Sequence, residues 1–507
     1  MSSKPVLLFA AFALLTSCSL ERPNVVRCTS NESCQTFFGE GSVCRPDGYC
    51  VGITNCTSNT ECREAIGFGS VCTATGQCAD AASLPRCAHT IPTDLLTNPR
   101  AYRDRVVFGA IFDESSTVHV GRLHAAELAV NVIGDSTGVE DVRFGIVFCD
   151  IRGGMMNSFG DGLGRLDAAR QVSTWLSDEL GTSAIIGPQS SEDTESIFTE
   201  VVQPRMPNTI LISPAAAGPT LTALEAPASE QAPGGLWRTS ASATDQSTLI
   251  AADMATRTPA IRRVAILREQ GAFGQGLAEP FIEAWTSAGG TSSEFVFDNP
   301  SARAELVSSL GIQVANFDAI YVIAQAGDTA AILALMSEDM RFTEALFVYF
   351  PQTGGSNSVF AGIAATRLFT RIRAFRPSVP RTETFALFRE AYARAFPDAD
   401  DVATITNAPH TYDAVWIAAL GAVWAREHDV VEGQGIARGI RHLVDGERHV
   451  ALASDWQRTV RQLRSEDARV DLEGVSGALD FDLITEETTG AVERVEGQVN
   501  GTFRALP

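Results

Sequence analysis

From about residue 103 onward the chain alternates two kinds of segment, and this alternation constrains its fold more than any other feature. Short apolar runs, such as Val106 to Phe112 and VRFGIVFCD (142–150), are separated by stretches with helical periodicity. Gly121 to Val132 places Leu123, Ala126, Leu128 and Val132 at helical spacing. GLGRLDAARQVSTWLSDEL does the same with Leu166, Ala169, Val172, Leu176 and Leu180. SAIIGP and TILIS read as further strands. Uniformly apolar strands joined by helices predict a parallel sheet with helices on both faces, an α/β architecture. The pattern restarts after GLWRTSASATDQ, with RRVAILRE (262–269), FDAIYVIAQ (317–325) and ALFVYF (345–350). At 507 residues the chain is too long for one hydrophobic core, so two α/β lobes are expected.

Ahead of the lobes lies a different kind of sequence. CTSNESCQTFFGEGSVCRPDGYC (28–50) and CTSNTECREAIGFGSVCTATGQC (56–78) share the spacing C-x5-C-x9-C-x5-C at an offset of 28 residues. Units this small cannot fold on apolar burial alone, so crosslinks must constrain them. Zinc would want C-x2-C pairs or histidines, and the repeats have neither. Disulfides are expected among Cys28, Cys34, Cys44 and Cys50 and among Cys56, Cys62, Cys72 and Cys78, with three connectivities open to each set. Cys87 and Cys149 are paired by parity, as a staple between neighbouring strands. The repeats resemble short cysteine-rich repeats of bacterial surface lipoproteins, which implies a stalk or a protein-binding module.

The first residues, MSSKPVLLFAAFALLTSC, carry one cation and an apolar run from Val6 to Leu15. That run is too short to span a bilayer and suits a secretory signal. Leu15-Thr16-Ser17-Cys18 resembles the lipobox of bacterial lipoproteins. The resemblance implies a signal peptide over 1–17, a lipid on Cys18 and a tether over 18–27 leading into repeats over 28–86. An exported, membrane-anchored protein of the periplasm or cell surface is expected, and Ser19 after the cysteine points to the outer membrane. The net charge of −22, with 38 arginines and the single lysine Lys4, offers no basic stripe for nucleic acid.

Several segments then occur in order: IIGPQSSEDT, LISPAAAGPTLTAL, GLWRTSASATDQ, GAFGQGLAEPFIEAW, NAPHTYDAVWIAALGA, DLEGVSGALDFD and VNGTFRAL. Together they resemble the type I periplasmic binding proteins, the leucine/isoleucine/valine-binding branch of ABC-transporter receptors. The resemblance spans roughly residues 103 to 507 and implies two lobes that close over a ligand. Three crossovers, expected near 238–243, 368–376 and 474–480, would make each lobe discontinuous. Within a large domain over 87–507, lobe I is then about 103–240 and 376–473, and lobe II about 241–368 and 480–507.

The resemblance also implies a site. Ser191, with Ser190 and Gln189 beside it, stands where relatives hold a ligand carboxylate, and either serine also suits helix capping. Ala215 and Ala216 of the SPAAA segment offer backbone to the ligand. Ala217 replaces a threonine that accepts from the ligand ammonium. Phe273 keeps one aromatic wall, Gln325 thins a second, and Gln352 replaces the acidic partner of the ammonium. A carboxylate or neutral polar ligand is therefore expected rather than an ordinary α-amino acid, unless Asp113 or Glu114 compensates. His119 and His410 lie near cleft loops and read as structural. Gly474-Val475-Ser476-Gly477 is not a complete nucleophile elbow, and no P-loop, HExxH or dinucleotide fingerprint occurs. A non-enzymatic solute receptor without cofactor or metal is expected, serving an ABC permease. The alternative is a surface sensor or adhesion lipoprotein meeting a surface partner.

Overall fold

The apolar runs form two open sheets of one design. The computed structural model describes residues 27–506 apart from 31–32, 35, 37–41, 45–47, 53–55, 103–104, 139–141, 155–157, 343–345, 379, 466–467 and 489. Lobe I contains β1 (Arg105–Phe112), α1 (Thr117–Ser136), β2 (Arg143–Asp150), β3 (Ala184–Ile186), α2 (Ser191–Ile197), β4 (Ile210–Ser213) and β5 (Leu236–Arg238). These strands run β2-β1-β3-β4-β5, all parallel. Lobe II contains α3 (Thr244–Ala255), β6 (Arg263–Glu269), α4 (Ala272–Ser287), β7 (Thr291–Phe297), β8 (Ala319–Ile323), α5 (Ala326–Glu338), β9 (Phe347–Phe350) and β10 (Ile372–Pro377). Its parallel strands take the equivalent order β7-β6-β8-β9-β10. The chain returns to lobe I with α6 (Glu383–Ala395) and α7 (Ala408–His428), and ends in lobe II with β11 (Val492–Gly497), antiparallel to β10.

The first core lies under α7, which is buried from Ala408 to Ala425. A helix apolar on every side must sit inside a protein rather than on it. Close approach makes this possible: a Cβ on Gly439 would lie 2.4 Å from the Gly421 carbonyl oxygen. Each strand of lobe I is buried over most of its length, as the uniformly apolar runs require.

The crossovers differ from expectation at two places. The first follows β5, between Arg238 and Thr244. The second comes after Pro377 rather than at 368–376, because Ile372–Pro377 pairs with β9 and β11 and so stays in lobe II. The third falls between Thr488 and Val492 rather than at 474–480. Phe481–Asp482 and Glu487–Thr488 form a hairpin that extends the lobe I sheet beside β5. The segment at Gly474–Gly477 is no crossover but a tight turn in a small lobe I sheet. Both Asp413 oxygens hold it, accepting from the Val475 and Ser476 N–H groups at 2.8 Å each.

Both repeats are crosslinked first to third and second to fourth: Cys28–Cys44, Cys34–Cys50, Cys56–Cys72 and Cys62–Cys78. Cys87 is bonded to Cys149, just before a short strand, His89–Ile91, that covers the free edge of β2. The second repeat is no free stalk. Asn59 and Arg63 donate to the Asp178 carbonyl at 3.0 and 2.6 Å, and the Gly69 N–H donates to Leu180 O at 3.0 Å. Trp175 Nε1 donates to Ala82 O at 2.9 Å, so the linker after the repeat is tied down as well. The leader, Cys18 and the tether up to residue 26 lie outside the described residues. Among the described residues no helix is long and apolar enough to cross a membrane.

Candidate functional site: a cleft between two switch points

In an open parallel sheet, ligands bind at the carboxyl ends of the strands where the strand order reverses direction. Lobe I reverses between β1 and β3, and lobe II between β6 and β8. The loops that follow these four strands face one another across a cavity of about 550 Å3, within the range of small-ligand sites.

On the lobe I wall the cavity is lined by Arg122, one turn into α1, and by Gln189 after β3. Arg122 is 9 % exposed. Its Nε donates to Thr406 O at 2.8 Å and its Nη1 to Gln189 Oε1 at 3.3 Å, but no carboxylate pairs with it among the described residues. Burial pulls the guanidinium down to about 9, so it stays charged at neutral pH. A buried charge without a counter-ion is costly. Nearby Arg165 differs, being ion-paired with Asp193 and Glu192. His119 also lines the cavity, and its Nδ1 accepts from the Asp113 N–H at 3.2 Å. Burial, then Arg122 and Arg165, hold it well below the usual histidine range, so the ring is neutral with its hydrogen on Nε2.

Seven of the nine expected ligand residues line this cavity: Gln189, Ser190, Ser191, Ala215, Phe273, Gln325 and Gln352. Ser190 caps α2, accepting from the Asp193 N–H, and Ser191 Oγ accepts from the Gly218 N–H at 2.9 Å. Each hydroxyl therefore spends acceptor capacity on the protein and keeps its hydrogen to donate. Ala216 and Ala217 do not line the cavity. Arg238 draws the Ala216 and Gly218 carbonyls away from the cleft, with bonds of 3.2 and 3.0 Å. Ala217 is fully buried and packs among lobe II residues such as Phe273 and Leu277, so its methyl group lies where the lobes meet rather than on the cavity wall. Gln352 lines the cavity with its amide committed to protein groups. It spans the cleft, donating from Nε2 to Ala215 O at 3.1 Å while its N–H and Oε1 bond to Gln246.

Lobe II adds an acid that the sequence reading missed. Glu269, at the end of β6, lines the cavity and accepts from Gln325. Its position closing RRVAILRE was the available signal, because strand ends carry the ligand in such sheets. Five cavity residues also hold buried polar atoms with no partner among the described residues: Gln189 Nε2, Arg303 Nε, Thr353 Oγ1, Thr406 Oγ1 and Asn407 Oδ1. Buried polar groups are nearly always bonded, so this cluster is shaped for something polar.

Two doubly wound lobes, three crossovers and a cleft between paired switch points define the type I periplasmic binding fold. The branched-chain amino acid substrate-binding protein LivJ of Streptococcus pneumoniae, in complex with isoleucine, superimposes with a TM-score of 0.59 at 17% identity over 79% of this chain and 99% of its own. The leucine-binding protein LivK of Thermotoga maritima gives 0.58 at 14% identity, over 79% and 98%. A solute-binding protein of R. palustris in complex with 4-hydroxybenzoate gives 0.57 at 13% identity, over 79% and 95%. No family model matches the sequence, and no curated protein matches it.

Proposed function

We propose that the chain is an extracytoplasmic solute-binding protein whose cleft captures a small organic anion, with the carboxylate held on Arg122 and flanked by Gln189 and the Ser190 and Ser191 hydroxyls. The observation that carries this reading is the unpaired, buried guanidinium of Arg122 in a cavity rich in unsatisfied polar atoms. An anion there completes an ion pair whose cationic half is already desolvated. Solved proteins of this fold were determined with isoleucine and with 4-hydroxybenzoate bound, and both ligands carry a carboxylate. Five disulfides support an oxidising compartment. A lipid on Cys18 would hold the protein at a membrane. Nothing in the cleft requires a catalytic role.

Delivery to an ABC-type permease is the first reading of the biological role. A surface-sensor reading is favoured by one observation: the second cysteine repeat is docked on lobe I and so presents a rigid composite surface. The test of ligand capture is a thermal-shift screen of the exported protein against aliphatic and aromatic carboxylates, their amides and plain amino acids. A ligand at a hundred times its Kd stabilises by about 2.7 kcal/mol. Carboxylates are expected to stabilise where matched amides do not, and Arg122→Met is expected to abolish the shift. Equal stabilisation by amides would overturn the anion reading.

A further inference from the structure

The loop after β4 brings Ala215 to the cavity wall, and its Gly218 N–H donates to Ser191 Oγ on the same wall. Four successive carbonyls of this loop are claimed in alternation by two parts of the molecule. Lobe II takes the first and third. Gln352 Nε2 donates to Ala215 O at 3.1 Å, and the N–H of Ala243, just before α3, donates to Ala217 O at 2.7 Å. Arg238 takes the second and fourth, its Nη1 donating to Ala216 O at 3.2 Å and to Gly218 O at 3.0 Å. Its Nη2 turns to Thr222 Oγ1 at 2.8 Å and to an ion pair with Glu487. Arg238 ends β5 and lies beside Glu487 in parallel register. The first crossover leaves from Arg238, and the third leaves one residue after Glu487. Thr488 Oγ1 donates to Thr239 O at 3.0 Å and ties the two departures together. The guanidinium is 1 % exposed, and its planar fork has fixed donor directions, so its partners are met together only in one arrangement of loop and crossovers.

We propose that Arg238 is a positioning residue for the cleft, locking the 215–218 loop to the first and third crossovers so that lobe closure and assembly of the ligand wall are one event. The proposal rests on the reading of the cleft as a ligand site. Hinge motion is absorbed by a few residues at the ends of elements, and here those residues begin at the Arg238–Glu487 pair. Lobes that part take Gln352 and Ala243 away from Ala215 O and Ala217 O, while Arg238 keeps Ala216 O and Gly218 O. The loop therefore registers the lobe angle through alternate carbonyls. A shift of the crossovers reaches the ligand wall through one guanidinium, with no contact between ligand and hinge.

The test is hydrogen exchange read by mass spectrometry on the intact protein without ligand, in variants that each alter one partner of Nη2. Glu487→Gln turns the charge-assisted bond at the third crossover into a neutral one, whereas Thr222→Val removes the bond to the Pro219–Ala223 turn. Glu487→Gln is expected to quicken exchange about tenfold over 213–219 and 241–246, the worth of the charge in such a bond. Thr222→Val is expected to leave 241–246 at the parental rate. Arg238→Lys keeps a cation opposite Glu487 but lacks the fork, and is expected to quicken both segments as Glu487→Gln does. Parental exchange over α1 shows that each variant is folded. Exchange that quickens nowhere, or only over the hairpin at 481–488, overturns the proposal, as does equal acceleration of 241–246 by Thr222→Val. No ligand enters this measurement, so its failure stands apart from a failure of carboxylates to stabilise the protein, which overturns the anion reading.

Discussion

At the scale of single residues, the proposed ligand capture rests on a charge that the fold leaves without a counter-ion among the described residues. Arg122 costs the empty protein stability, because its guanidinium is desolvated without a counter-ion. Arg122→Met is therefore expected to raise the melting temperature of the ligand-free protein, by the equivalent of about 1 kcal/mol or more, while removing the response to carboxylates. A variant that melts lower than the parent would show that Arg122 serves the core instead. Glu269 gives a pH signature. Its folded value lies above its ordinary one, so the folded state binds the proton more tightly, and its ionisation withdraws stability as pH rises from about 4.5 to about 7. Burial is the main cause, Gln325 works against it, and Asp328 and Glu192 add a little. Relative to the parent, Glu269→Gln is expected to melt higher at pH 8 than at pH 5 in paired scans. Seven cleft residues were legible from motif order, because loops after strands keep their place. Ala217 was not, since whether a methyl group meets a ligand or a neighbouring lobe depends on which way Arg238 turns the backbone.

At the scale of elements, the strand and helix runs were plain, but sheet membership was not. IRAFRP (372–377) overlaps the crossover expected near 368–376, yet pairing with β9 and β11 keeps it inside lobe II. Hydrogen-bond partners distant in sequence decide such boundaries, and periodicity does not report them. The same holds for α4 and the short turn at Pro219–Ala223, which meet across the cleft. A Cβ on Gly276 would lie 3.0 Å from Pro219 Cδ. Gly276→Leu is expected to wedge the lobes apart, raising the radius of gyration in small-angle scattering. Ligand affinity should fall about tenfold, since the binding-competent arrangement becomes a minor state. On α7, Asp413 accepts both N–H groups of the 474–477 turn from a fully buried position. Asp413→Asn would set an amide hydrogen against one of those donors and is expected to cost about 1–3 kcal/mol in denaturant unfolding.

At the scale of the whole molecule, the cysteine repeats and the lobes are joined more closely than two separate motifs would suggest. Arg63 anchors the second repeat to lobe I through Asp178 O. Arg63→Ala is expected to lower stability by about 1 kcal/mol, a melting shift of only a few degrees in a chain of this size, with ligand binding unchanged because the contact lies away from the cavity. By itself the sequence determined the local and the covalent: strands and helices from apolar period, crosslinked repeats from cysteine spacing, two lobes from the restart of the pattern. It also determined where a ligand had to be sought, since the carboxyl ends of parallel strands are read from chain direction alone. Only the tertiary structure decided which cysteines pair within each repeat, where the chain changes lobe, and which charges meet a partner. A charge's worth depends on what lies within a few ångströms of it, and for Arg122 and Glu269 those neighbours are brought in, or kept away, by segments far off in the chain.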